Sequence, residues 1–449
     1  MLLSVSRGVA PDRSIRAPRP CTGAASPRGL PSFWAGRAKR SGISAPTRYH
    51  QTMPDRRPTA ATHPRPAASP SLPAAARPRR TPSGARVGRS PHAAPPPVLV
   101  QVRRGGVSES RHRGHVVQVG PDGLVERAIG DPEILVSLRS AAKPLGLAAF
   151  VEAGIADAFE LSVPELAIMT ASHSGEDLHV RTIQAVLRRA GISQSLLGCG
   201  TENAPLDRAT AQRLARDGER PGPIRHQCSG QHASFLLFAK HAGWPLEEYW
   251  QPDHPTQIAF RDALTRILGR PAGELAISVD ACGIPTYHVP LVEVARAYAL
   301  LADPAGVAGT PAQRALVPAL TRIRDAMLAA PELVAGTRER FDTDLMRELP
   351  GRLVAKGGAE ALEGVSLLPG ARQGRGLSAG LAVKIDDGDG RGRARPAVTV
   401  EALRQIGVLG ERELQRLAVY HRPALYDPRG AVVGEVVPSF ELVPLAELR

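Results

Sequence analysis

Proline and positive charge both fall away sharply near residue 97, and that break decides how much of the chain can build a core. Residues 1–97 hold 18 of the 42 prolines, and 17 Arg and Lys residues against two Asp. The other 40 basic residues stand against 41 acidic ones, so the rest of the chain is close to neutral. The formal charge of +14 therefore belongs to the leader, and a domain-wide footprint for DNA or RNA is missing. A Pro-, Ala-, Ser- and Arg-rich stretch without an apolar period cannot bury enough surface to offset its ordering entropy. Residues 1–96 are accordingly expected to be a disordered basic leader and residues 97–449 the folded domain. Met1-Leu2-Leu3 gives way to Ser4 and Arg7 too soon for a secretory h-region. The Arg-rich, acid-poor composition resembles a transit peptide, but it is first that of generic disorder, as in an unstructured extension or an over-long start.

No run of about 18 apolar residues exists to span a membrane. Besides Cys21 in the leader there are three cysteines, Cys199, Cys228 and Cys282. Three are too few for a disulfide framework, and without an export signal they read as reduced thiols in the cytoplasm.

Short β-rich runs open the folded part at Val98–Arg103 and His115–Gly120, followed by a Pro121-Asp-Gly turn. From Pro132 the pattern turns helical, and it stays mostly helical between Ser162 and Ala330, as in 177–190, 232–241, 256–268 and 291–302. Strand signals return at Arg352–Lys356 and Gly380–Asp386, a helix opens at Ala397, and Ala431–Val437 closes the chain as a strand. Strands at both ends and helices between them predict an α+β domain whose termini share one antiparallel sheet.

Of the 57 basic residues only five are Lys: Lys39, Lys143, Lys240, Lys356 and Lys384. Arg cannot lose its proton in a protein, whereas a buried Lys can. Each Lys in the fold is therefore a candidate base. Ser140 precedes Lys143 by three positions, so on a helix the two share a face. A serine needs such a base to become a nucleophile, and Ser-x-x-Lys is the signature of serine β-lactamases and penicillin-binding proteins. The bland reading is a helix cap with Lys in solvent, and the motif is short enough to arise by chance. Lys356-Gly-Gly358 ends an apolar strand much as a late Lys-Thr-Gly strand does in those enzymes, or it is simply a turn lysine. Ser172, His173 and Ser174 lie in a loop, Ala171–Glu176, where they either do chemistry or cap the next helix. Cys228 and His232 lie four apart, and with Cys282 they have the ligand types of a zinc site or of buried structural thiols.

Taken in order, Glu109–Gly114, Arg139–Pro144, Ala171–Glu176, Cys228–His232, Cys282–Thr286, Ala355–Glu360 and Leu381–Ile385 resemble the asparaginase II family, from about Val98 to the C-terminus. The resemblance implies a fold like that of serine β-lactamases and serine-dependent glutaminases. It implies an amidohydrolase for L-asparagine with two Ser–Lys tandems, Ser140 with Lys143 and Ser172 with Lys356. Ser172 is preferred to Ser174 by its place in the motif. It further implies a zinc ion between Cys228, Cys282 and a lysine at position 231, and a homodimer as the assembly. Position 231 is Gln here, and a neutral amide is a much poorer zinc ligand. The expected route is attack by Ser140 and an acyl-enzyme, with oxyanion donors at the helix start and beside Gly357 or Gly358. Arg139 or Arg225 is the candidate for holding the substrate carboxylate. The partner expected is a small molecule, with no nucleic acid and no membrane. Glutaminase or β-lactam hydrolase activity and a decayed binding protein are the rival readings; one methylene is worth only ~1–3 kcal/mol in discrimination.

Overall fold

The computed structural model describes residues 94–444, Arg375 excepted. The expected leader, with Cys21 and Lys39, lies outside the described residues apart from 94–96. Strands β1 (Val98–Arg104), β2 (Val107–Val119) and β3 (Val125–Ile129) open the chain. β2 alternates in exposure over its first residues and is buried from Gly114 to Val119, where β3, β9 (Ala379–Ile385) and a helix enclose it. The main sheet runs β10 (Ala424–Tyr426), β11 (Val432–Pro438), β1, β2, β9, β8 (Leu362–Leu367), β7 (Leu353–Gly358). Val100 pairs with Pro438 and Arg103 with Glu435, so the two ends of the fold do share one antiparallel sheet. β8 gave no clear signal in the sequence because Gly364 breaks its apolar run; a Cβ there would strike the Tyr298 ring at 2.4 Å.

A second, three-stranded sheet is built from β4 (Leu135–Ser137), β6 (Pro285–Pro290) and β5 (Ala276–Val279). It corrects one expectation. The segment after Pro132 is a strand rather than a helix, because Val136 pairs with Val289. The middle of the chain is mostly helical as expected, with one hairpin, β5 and β6, folded by the turn at Asp280–Gly283.

Nine helices carry the remaining argument: α1 (Lys143–Glu152), α2 (Val163–Met169), α3 (Asp177–Arg189), α4 (Ser229–Ala242), α5 (Pro255–Leu268), α6 (Leu291–Ala302), α7 (Pro311–Ala329), α8 (Phe341–Glu348) and α9 (Ala394–Gln405). α1 is buried from Lys143 to Val151. It packs on α5 and α7, and Phe150 stacks on Phe238 at 4.5 Å and meets Phe235 edge-on at 5.2 Å. Truncating such a ring to Ala typically costs ~3–5 kcal/mol. α6 lies directly on the sheet. A Cβ at Gly380 would sit 1.8 Å from Ala295 O, so only glycine lets helix and strand approach so closely. Among the described residues no helix is long and apolar enough to cross a membrane.

Candidate active site

Ser140 sits in a 3-10 turn, Arg139–Ala142, between β4 and α1. Arg139 has φ of +43°, a left-handed conformation that costs a non-glycine residue ~1–3 kcal/mol unless its surroundings impose it. Here they do. Arg139 N donates to Thr286 Oγ1 at 2.9 Å and its Nε to Asp280 Oδ1 at 2.7 Å, both on the β5–β6 hairpin. The small sheet thus clamps the turn that presents Ser140. Ser140 is half-buried, and among the described residues its Oγ has no hydrogen-bond partner.

Lys143 is the first residue of α1 and is 2% exposed. Its Nζ donates to Ala171 O at 2.7 Å, Ser172 Oγ at 3.3 Å and Cys228 Sγ at 3.3 Å. Two of these partners lie in the 171–176 loop, the third caps α4, and none is Ser140. That loop links α2 to α3, and three bonds fix it: Ser172 N to Val334 O at 3.0 Å, His173 N to Gln227 O at 3.1 Å, and Arg340 Nη2 to Ser172 O at 2.7 Å.

Ser172 Oγ also lies 2.9 Å from Lys356 Nζ, so one hydroxyl joins two lysine nitrogens from distant parts of the chain. Lys356, on β7, is fully buried. Burial disfavours its charged form; Asp342 opposes that effect and Lys143 adds to it, and together they bring the amine down to about 7. The end of β7 also abuts the Ser140 turn, since a Cβ on Gly358 would lie 3.0 Å from Leu138 O. Ser140, Lys143, Ser172 and Lys356 therefore occupy one locality.

The neighbouring side chains have other engagements. Ser174 Oγ donates to Ala335 O and accepts from Arg340 Nη1, each at 3.0 Å. His173 accepts from Gly175 N at Nδ1, so Nε2 carries the proton shared with Ser229 Oγ at 2.9 Å. Burial, with His179 stacked at 4.8 Å, holds its pKa well below the ordinary value.

A model of the L-asparaginase II family matches residues 100–438. The chain belongs to the L-asparaginase II family. No curated protein matches it by sequence. Similar solved structures include Mglu in its glutamate form, with 14% identity, 66% of this chain, 62% of that one and a TM-score of 0.35. Others are a probable glutaminase from Bacillus subtilis complexed with 6-diazo-5-oxo-L-norleucine (14% identity, 66% and 84% of the two chains, TM-score 0.32) and a Bacillus glutaminase (12%, 66% and 92%, 0.34). The chain spans about 62% of the length of Mglu, and scores this low mark only a partial overlay.

The two expected zinc cysteines do meet. Both are free thiols, and their mutual interaction, with Lys143 nearby, pulls Cys228 well below the usual thiol value and pushes Cys282 up. The rest of the donor set is poor. Gln231 Oε1 is buried without a hydrogen-bond partner, and His232 turns its Nδ1 to Tyr249 OH at 2.6 Å. Among the described residues no three His, Cys, Asp or Glu side chains are grouped to hold a metal. Two sulfurs and a neutral amide do not complete a zinc site.

Arg225 is committed to Gly175 O and Asp177, at 2.9 and 2.8 Å, and Arg139 to Asp280. The spacing arguments missed Arg340, which ties down both serines of the loop. They also missed Asp342 and Glu363, both buried, and Arg395, which pairs with them behind β7. No local motif marks these four, because each acts on residues far away in the chain.

Proposed function

We propose that the chain hydrolyses L-asparagine to L-aspartate and ammonia through an acyl-enzyme on a lysine-activated serine. Family membership supplies the reaction class, and the observation that carries the mechanism is the Ser172 hydroxyl bridging Lys143 and Lys356. In this reading Ser140 Oγ bonds to the side-chain amide carbon. Its proton enters a relay in which Lys143 gains one proton as it hands another to Ser172, and Ser172 passes its own to the Lys356 amine. The Gly357 N–H is taken by Asp342 Oδ2 at 2.8 Å, so the turn's own Ser140 N–H is the donor we assign to the oxyanion. Collapse breaks the C–N bond, and the relay returns its proton to the leaving group, which departs as ammonia. Water then attacks the ester, gives its proton to the relay, and releases aspartate as Ser140 is reprotonated. No step passes through a metal.

A second reading makes Ser172 the nucleophile. The 2.9 Å contact favours it, because Lys356 could take the Ser172 proton directly. Acid quench during turnover, followed by peptide mapping for an aspartyl ester, separates the two. An ester on Ser140 supports the first reading and one on Ser172 the second; neither ester nor ammonia from L-asparagine or L-glutamine would end both. Action in the cytoplasm and assembly as a homodimer belong to the same proposal.

A further inference from the structure

Beneath β7, on the face away from Ser172, two buried carboxylates meet a guanidinium that is 21% exposed. Asp342 on α8 is 5% exposed and Glu363 on β8 fully buried, and Arg395 on α9 binds both. Asp342 uses its two oxygens separately: Oδ2 accepts from Gly357 N at 2.8 Å, and Oδ1 accepts from Arg395 Nη1 at 3.3 Å. The guanidinium reaches this place only because residue 357 is glycine; a Cβ there would lie 2.2 Å from Arg395 Nη1. Glu363 sits opposite Gly357 in the β7–β8 pairing, and its Oε1 has no hydrogen-bond partner. The charged groups around Lys356 are thus Lys143 from α1, Arg340 before α8, Asp342 from α8, Glu363 from β8 and, behind them, Arg395 from α9.

These two carboxylates are not equivalent. Burial raises Asp342, but Arg395, Lys356 and the Gly357 N–H outweigh it, so it stays ionised. Burial and the Asp342 charge instead raise Glu363 to about 8, so near neutral pH it holds a proton. Asp342, bonded from α8 to Gly357 N of the lysine's strand, is left as the fixed negative charge beside it.

We infer that Asp342, held by Arg395 beneath β7, is a positioning residue that supplies the negative charge opposing Lys356 and so sets the lowest pH at which Lys356 serves as a base. The assignment of Lys356 as that base rests on the proposed function; the charge arrangement itself does not. Removing the carboxylate favours the neutral amine, whereas removing the guanidinium favours the ammonium. A residue that merely held the strand would lower activity at every pH and leave the titration where it is.

The test titrates the lysines of the full chain directly by 13C NMR after labelling at Cε; only five are present, and Lys356→Met assigns the signal. In Asp342→Asn the Lys356 midpoint falls by about one pH unit, the usual spread produced by such neighbours. In Arg395→Gln it rises. The two variants lie on different helices and move the midpoint in opposite directions, so either decides the matter should the other not fold. The acid limb of kcat/KM for ammonia release is expected to follow the NMR midpoint. A Lys356 midpoint unchanged in both variants overturns the inference. Midpoints that shift in a chain releasing no ammonia leave it standing and overturn the proposed function instead.

Discussion

Replacing Lys356 by Met should abolish activity yet stabilise the protein near neutral pH, by an amount that depends on pH in a defined way. In the unfolded chain Lys356 keeps its proton up to its ordinary 10.5, whereas in the folded chain it does so only up to about 7. Between those values the unfolded state binds one more proton than the folded state. Stability therefore rises with pH by ~1.4 kcal/mol per unit from this group alone. The full gap, 10.5 minus about 7, is about 3.5 units. That corresponds to a penalty of ~5 kcal/mol at most, complete at pH 7 and below and gone near 10.5. Met fills the same space without the charge, but it loses the bonds to Ser172 Oγ and Gly357 O, together worth ~1–3 kcal/mol. Lys356→Met should therefore gain ~2–4 kcal/mol over the wild type at pH 7, lose that lead as pH rises, and fall behind near pH 10. Urea unfolding of both proteins at intervals from pH 7 to 10 reads the difference from midpoints and slopes. A difference that stays constant across that range would refute the reasoning, because Lys356 would then keep its proton in the fold.

Ser172→Ala breaks the hydroxyl bridge between Lys143 and Lys356 and should lower kcat by ~10²–10⁴, the usual worth of a proton-transfer group, with thermal stability little changed; steady-state ammonia release checks it. Gly357→Ala places a methyl against Arg395 and should cost ~1–3 kcal/mol as overpacking, visible as a lower melting temperature. Zinc should bind the wild type below one equivalent, and Gln231→Lys should raise that occupancy, measured by equilibrium dialysis against zinc followed by metal analysis.

Local signals carried the parts of the fold and site that could be read from the sequence. Leu291–Ala302 has the bounds its periodicity suggests, and the paired termini follow from strand runs at each end of the domain. Ser140–Lys143 and Lys356-Gly-Gly were visible because spacing and residue type sufficed. β4 and β5 were missed because three or four residues carry too little period, and their pairing comes from β6, which lies about 150 residues beyond β4 and across a tight turn from β5. The helix expected from Ala397 begins at Ala394, because Pro396 fits the first turn of a helix rather than ending one. Lys143 bonding to Ser172, 29 positions away, rather than to its near neighbour Ser140 was likewise beyond spacing. The same holds for Asp342 and Arg395, which are 53 apart and meet only when α8 and α9 close on β7.

The most direct test of the central claim is ammonia release from L-asparagine and L-glutamine by the purified chain and by Lys356→Met. The account predicts release from L-asparagine by the wild type, rising with pH through about 7, and none from the folded variant. Release that survives in Lys356→Met, or that occurs with neither amide in the wild type, would contradict it.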